Sequence, residues 1–595
     1  MLTDTSAAEP KTGVGSLNST CAGSIFPALA VVQVGAVWIP ATVMAILLLA
    51  RVESWWIPSL VLSLGLLGAF AYFLLKPFPQ KMILPGMAAC FGALLLAAKA
   101  CLYLYDTMHD SRGYHADAIL ALLHNINPLY QHIPEIRPLN ANHFPKATWY
   151  FAAFVIHWVG HYQVGKIYNF ILTFACFSYA RYFFEQRKLS SESSFMLAAV
   201  TAVSAVAGSQ MLTFYVDGAL GALLVLSILA AVNLVYSPSR YDRWIFFLSA
   251  SLSIAIKFTC LFYVAAIFFG LMAARFLLRR QCQQGIDFRR TIRGDALLIA
   301  GVYLCGVLVL GYDPYVTNVQ RGFNPLYPVV SHDNADFIRN ADTPPGLADR
   351  SDNRVGQFLI SFFGASQTFD NKPVHLKVPF SVSKKELINM GAPDSVIAGW
   401  GVFFSGVTIL GLILFVAGKG WQDNAALLFA LGLVALTALI NPLCWCARFT
   451  PQLAIVPVLL VATVLNKNEA KPVRLGIQVT CGFLILNSLI AASAGAGAAC
   501  VRSRHLDHLL AAVRKTSGAG DYWAYRDPSS HEHYEQFSGD QGIRICGQIE
   551  NPSEPPPSGG SPLTVNARNQ TEVTLFRGSC AAPPPIPDSG QIDVR

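Results

Sequence analysis

The densest group of side chains able to do chemistry lies in Tyr105-Asp-Thr-Met-His-Asp-Ser-Arg-Gly-Tyr-His-Ala-Asp117, with three carboxylates and two imidazoles. A carboxylate there can accept the proton of an attacking hydroxyl, and an imidazole can orient it. On a solvated loop the same cluster is cheap to keep and carries no message, so its weight depends on partners elsewhere. Three ionisable residues stand beside long apolar runs: Asp217 in Phe214-Tyr-Val-Asp-Gly218, Lys257 in Ser253-Ile-Ala-Ile-Lys-Phe-Thr259, and Arg448 in Cys444-Trp-Cys-Ala-Arg-Phe449. Any one of them alone reads equally well as a chain reaching out to the interface. Charges at membrane depth are costly and mark functional interiors. Two cations facing an acidic cluster suit a phosphate leaving group and an activated hydroxyl.

The elements that must position these residues follow from composition. Of 595 residues, 53% are hydrophobic and 13% charged, and the mean hydropathy is +0.45. A soluble domain carries about 25% charged residues, so most of this chain has no water-facing surface. The apolar runs, such as Ala41–Ala50 and Leu60–Leu75, are continuous rather than alternating with period two. That excludes a barrel and predicts an all-α polytopic membrane protein. Spans of bilayer length are expected near 25–50, 55–75, 83–103, 166–184, 194–209, 216–236, 244–256, 259–275, 295–311, 398–418, 423–441, 450–466 and 474–496, about 13 in all. The first run is expected to stay as a helix rather than leave as a signal peptide.

The net charge of +8 sits in short loops between apolar runs, which argues against a nucleic-acid partner and for the positive-inside rule. Lys76 and Lys81, Arg187 and Lys188, Arg240 and Arg243, Arg279 to Arg293, and Lys467 to Arg474 all fall on one alternating side. Placing them in the cytoplasm puts the N-terminus, 1–24, inside and the tail from 497 outside; among the short loops only Arg51 is on the wrong side. The expected layout is then helices over 25–103, an outer loop over 104–165, a transmembrane core over 166–311, a large outer loop over 312–397, helices over 398–496, and an extracytoplasmic tail over 497–595. Within the first loop, Ala116–His124 reads as a short helix and Pro145 opens a second one stopped at Gly160-His161, both expected at the membrane interface. The tail is Pro-rich and expected to be flexible at Asn551–Gly560 and Ala581–Gly590, with a disulfide among Cys500, Cys546 and Cys580. No cysteine–histidine spacing suggests zinc. The triplets headed by Asn18 and Asn569 are read as chance glycosylation matches.

The order of these motifs resembles the GT-C superfamily of integral membrane glycosyltransferases, closest to the branch of the protein O-mannosyltransferases and lipid A aminoarabinose transferases. Asp110-x-x-x-Tyr114-His115 followed by Leu120–Pro128 resembles the family's acidic loop and its helix. Phe144-Pro-Lys-Ala-Thr-Trp149 is similar to the approach to the second loop helix, Tyr215-Val-Asp217 to the second acidic motif, and Ile254-Ala-Ile-Lys257 to the lysine-bearing turn. Arg448-Phe449 with Pro451 and Pro457 resembles the late Arg-Tyr-Pro-rich helix, and Asn324-Pro-Leu-Tyr-Pro328 resembles loops of these enzymes. The likeness covers about 83–466. Two spans precede the family's usual first helix, and His109-Asp110 replaces its Asp-Glu dyad.

The resemblance implies a sugar moved from a polyprenyl-phosphate donor to an extracytoplasmic lipid, glycan or protein acceptor, with inversion. It makes Asp110 the base, Asp106 its reserve, and His115 an orienting group. Lys257 and Arg448 would steady the phosphate, Arg448 with a two-pronged contact. Asp217 would either hold a divalent metal ion (Mg or Mn) or fix Lys257. The expected location is a bacterial inner membrane, among membrane lipids. Two other readings stand beside this one: a flippase or transporter of a lipid-linked saccharide, and a non-catalytic membrane scaffold. Transporters place charge near the midplane and show internal repeats; here the charges gather at one boundary, and no repeat is visible.

Overall fold

The computed structural model describes residues 24–133, 138–279, 288–331, 344–348, 350–351, 353–368, 373–465, 471–517, 520–525, 543–549, 562–566 and 572–577. The expectations for 1–23, Asn18, Asn551–Gly560, Asn569, Cys580 and Ala581–Gly590 lie outside these residues. So do Lys467 and Arg280.

An apolar chain has nothing but itself to satisfy its backbone groups, and it does so by coiling. The N-terminal third gives α1 (Phe26–Leu49), α2 (Trp56–Leu75), α3 (Gln80–Tyr103), α4 (Ala116–Leu123), α5 (Pro138–His143), α6 (Ala147–Val159) and α7 (Tyr168–Gln186). The middle gives α8 (Ser191–Ala202), α9 (Ala205–Gln210), α10 (Asp217–Tyr236), α11 (Arg240–Ile254), α12 (Thr259–Arg279), α13 (Phe288–Leu308) and α14 (Tyr312–Gln320). Then follow α15 (Pro345–Ala348), α16 (Arg354–Phe362), α17 (Lys384–Met390), α18 (Phe404–Ala417), α19 (Ala425–Leu439), α20 (Val456–Ala462) and α21 (Lys471–Ser517). Among the described residues, seven helices are long and apolar enough to cross a membrane: α1, α2, α3, α10, α12, α13 and Lys471–His508 of α21. The other expected spans coincide with α7, α8 with α9, α11, α18, α19 and α20, which fall short in length or apolar content.

Helix α10 is the axis: every residue of its apolar window is buried, and α7, α9, α11, α12 and α19 pack around it. Apart from Asn233 and Tyr236, only small and aliphatic residues occupy it after Asp217, so nearly its whole circumference can be covered. Helix α1 is also largely enclosed, whereas α2 and α3 bury only 17% and 6% of their apolar windows. The two peripheral spans are therefore α2 and α3, inserted between α1 and the acidic segment. Helices α4 and α6, expected at the membrane interface, lie inside the protein instead. Residues Ala116–Leu122 are all buried, as are Ala147–Ala153, because both helices are mostly apolar and pack against each other, with α6 lying on α1. Gly160 ends α6 with φ +75°, a left-handed cap that suits glycine.

The tail departs from an all-α reading. Strands β1 (Gly520–Tyr525), β2 (Ile543–Ile549), β3 (Pro562–Asn566) and β4 (Glu572–Arg577) form a sheet in the order β2-β1-β4-β3. The β1–β2 pair is parallel and the others antiparallel. Alternation such as Ile543-x-Ile545 and Val573-x-Leu575 supplies the period-two signal, which the surrounding prolines and glycines obscure. Among the described residues Cys500 has no disulfide partner, and Cys546 sits in β2.

Helices α9 and α21 touch backbone to backbone. A Cβ on Gly495 would stand 2.8 Å from the Gly208 carbonyl oxygen. Gly495→Leu is expected to cost about 1–3 kcal/mol by overpacking, read as a lowered melting temperature of the purified protein. Gly497→Leu, where nothing lies within 4 Å, should leave it nearly unchanged.

Candidate active site

The six residues singled out from the sequence converge at one end of the bundle, and four of them form a single chain of ion pairs. Asp217 is the first residue of α10. Its Oδ1 accepts from Lys257 Nζ at 2.5 Å and its Oδ2 from Arg448 Nε at 2.8 Å. Arg448 Nη2 then reaches Asp110 Oδ2 at 3.2 Å. The side chains are 2% (Asp217), 20% (Lys257), 15% (Arg448) and 25% (Asp110) exposed, so the line runs from a buried carboxylate to an open one. Charge alternates along it and sums to zero, which is what allows it to be buried at all.

Local structure explains each placement. Lys257 rides the turn Ala255–Phe258 between α11 and α12, where its Nζ lies 4.2 Å from the Phe449 ring centroid. That turn is tied to α6 by the Ala147 N–H, which donates to the Ala255 carbonyl at 3.1 Å. Arg448 lies between α19 and the helical turn that opens at Pro451, its guanidinium over the Tyr215 ring at 4.7 Å. The Asp110 N–H donates to the Tyr215 hydroxyl at 3.4 Å. Gln210, at the end of α9, donates from Nε2 to Asp217 Oδ2 at 3.1 Å and to the Pro393 carbonyl at 2.8 Å. Its Oε1 accepts the Gly218 N–H at 2.8 Å. One carboxamide thus joins α9, α10 and the segment between α17 and α18.

Asp106 occupies a different environment. It is 2% exposed, and its oxygens accept the N–H groups of Phe214 at 2.6 Å and Met108 at 3.1 Å. Burial pushes its carboxyl above the usual range, opposed by Lys166. Gln163 accepts from both the Asp106 N–H and Lys166 Nζ, each at 2.9 Å. Asp106 therefore ties the acidic loop to the segment before α10 and is closed to a substrate.

His115 is equally buried but aimed differently. Trp149 Nε1 donates to His115 Nδ1 at 2.7 Å, which places the ring proton on Nε2. Burial lowers its pKa to about 4, despite Asp110 and Asp217 nearby. The imidazole is thus neutral, with an Nε2–H that has no partner among the described residues.

Sequence reasoning did not anticipate three participants. Gln210 is the first; a carboxamide seven residues before Asp217 in an apolar stretch was its only signal. Asp313 pairs with Lys146 at 3.0 Å, both essentially fully buried, and this pair ties the α5–α6 junction to α14. Arg502 of α21 stands within electrostatic reach of Asp106, Asp394 and Tyr215, while Ser503 Oγ accepts the Tyr105 N–H at 2.7 Å.

The donor set does not fit a divalent metal. Both Asp217 oxygens are engaged by Lys257, Arg448 and Gln210, and among the described residues no three His, Cys, Asp or Glu converge. Of the two roles considered for Asp217, the geometry matches the partner of Lys257.

Asp217→Asn leaves two buried cations without their counter-charge. Its loss is expected at the lower end of about 3–5 kcal/mol, since Lys257 and Arg448 keep some solvent, measured by thermal unfolding in detergent. His115 gives a pH prediction. Its folded pKa lies below the unfolded one, so the unfolded chain takes up the proton first as pH falls from about 6.5. Stability is then lost toward pH 4 with a slope of up to ~1.4 kcal/mol per pH unit, and His115→Gln should flatten that decline. No protein-family model, curated protein or solved structure matches this chain.

Proposed function

We propose that the chain is an integral membrane glycosyltransferase that moves a sugar from a polyprenyl-phosphate donor to a hydroxyl-bearing acceptor outside the cytoplasm. The observation that carries the reading is the Lys257–Asp217–Arg448–Asp110 chain at the mouth of the bundle. Its open end is a carboxylate, and its two cations stand behind it. A scaffold needs no such arrangement, and a transporter site would be sought at the midplane, whereas here Asp217 opens α10 and Lys257 closes the turn after α11.

In this reading Asp110 takes the proton of the acceptor hydroxyl as its oxygen attacks the anomeric carbon. The bond from that carbon to the phosphate oxygen breaks, and the phosphate leaves with the bonding electrons. Arg448 and Lys257 stabilise the charge that builds on it. Arg448 bridges base and phosphate site, Asp217 holds both cations toward the mouth, and the neutral His115 offers one uncharged donor. A single displacement inverts the anomeric centre. The basic ends of α7, α11, α12 and α13, taken as cytoplasmic across about 13 spans, support a mouth that faces outside and an N-terminus that lies inside. Arg51, the exception, lies 4.0 Å over the Tyr130 ring of the outer loop.

The test is transfer from a panel of labelled polyprenyl-phosphate sugars by purified protein. Asp110→Asn should lower turnover about 10²–10⁴-fold with donor binding retained. Asp106→Asn should instead lower stability and activity together. Absence of transfer from every donor, with donor translocation in liposomes, would overturn the reading in favour of a flippase.

A further inference from the structure

At the opposite end of the bundle, some 30 Å down α10 by its length, lies a large cavity. It measures about 800 Å³, within the range that encloses a ligand of several hundred daltons. Helices α11 and α13 form its walls. At its mouth stand Arg240 and Arg243, exposed and one turn apart on the first turn of α11, hence on one face. Trp244 follows at the level where indoles meet the headgroups, and deeper in the walls are Phe247, Leu297 and Leu298.

The acids at this end are already engaged. The Asp242 carboxylate accepts from the Tyr179 hydroxyl at 2.5 Å, from Asn233 at 3.1 Å and from the Ser239 N–H at 2.6 Å. Asp295, 1% exposed, pairs with Arg275 at 3.3 Å; it lies near enough to Arg243 to feel its charge but bonds elsewhere. Neither Arg240 nor Arg243 has a carboxylate partner among the described residues. Two guanidinium groups with no carboxylate bonded to them, above an apolar trough, match one kind of molecule in both charge and polarity. We propose that this cavity is a binding site for an anionic phospholipid of the surrounding bilayer, its phosphate held by Arg240 and Arg243 and an acyl chain lying along Phe247 and Leu298. The proposal is independent of the chemistry at the other end. A basic pocket between membrane helices is a recognised form for such a site.

Lipid retention is read by native mass spectrometry of the full-length protein in detergent, titrated with phosphatidylglycerol or phosphatidylcholine. Wild type is expected to retain phosphatidylglycerol and to melt at a higher temperature in its presence, with no comparable effect of phosphatidylcholine. Arg240→Gln with Arg243→Gln should weaken phosphatidylglycerol binding about 30-fold, taking each surface cation at the usual value for an anionic membrane. Gly294→Phe keeps both charges but projects a ring into space where nothing lies within 4 Å, and should block the same binding with the fold intact. Equal retention of the two lipids by wild type would overturn the proposal, as would undiminished phosphatidylglycerol binding by both variants.

Discussion

A carboxylate 2% exposed at the head of a buried helix imposes a condition on everything around it. An ionised group in so dry a place is tolerable only with close counter-charge, and Asp217 obtains two. Lys257 arrives on the turn between α11 and α12 and Arg448 on the segment after α19, so the ends of separate helices are fixed by one residue. Gln210 adds α9 and, through Pro393, the segment between α17 and α18. The electrostatic requirement and the topology are one constraint: α10 can be wholly enclosed because its single charged residue is neutralised at its tip.

A second pair, more deeply enclosed, works the same way. Lys146, at the start of α6, meets Asp313, at the start of α14, and also donates to the Asn142 and Phe144 carbonyls. The acidic loop is thus held from three sides: by Lys146 through α6, by Asp106 through Phe214, and by Tyr105 through Ser503 of α21. Asp110 stands at the free edge of that loop. Its backbone is pinned to Tyr215, and among the described residues its carboxylate is bonded only through Oδ2, to Arg448, an arrangement that orders a base without satisfying it.

The features legible in the residues alone divide from the rest along physical lines. Helical runs announced themselves because a bilayer-length apolar stretch has one cheap conformation, and the apolar segments after Asp217 and around Ala41 were unmistakable. Asp217, Lys257 and Arg448 stood out because ionisable groups beside such runs are costly. Whether a short apolar helix lies on a membrane or inside a protein depends on the neighbours that cover it, and this misplaced α4 and α6. Asp106 and Asp110 look alike as letters; their different surroundings come from contacts with Phe214 and Arg448, more than a hundred residues away. The sheet β1–β4 was missed because its alternation is short and broken by proline. Asp313 and Arg502 were missed because neither lies near another charged residue of the cluster in sequence.

Helix α21 runs unbroken for 47 residues from Lys471 to Ser517, about 70 Å at 1.5 Å per residue, longer than a bilayer is thick. A rod of this kind is also a screw. Each residue added or removed beyond Ser503 would rotate the chain on its far side by about 100° and move it by about 1.5 Å, and β1 begins at Gly520, just past the rod's end. The number of residues in that stretch therefore sets where, and at what angle, the helix releases the chain that leads to the strands, much as thread count sets the angle of a bolt head.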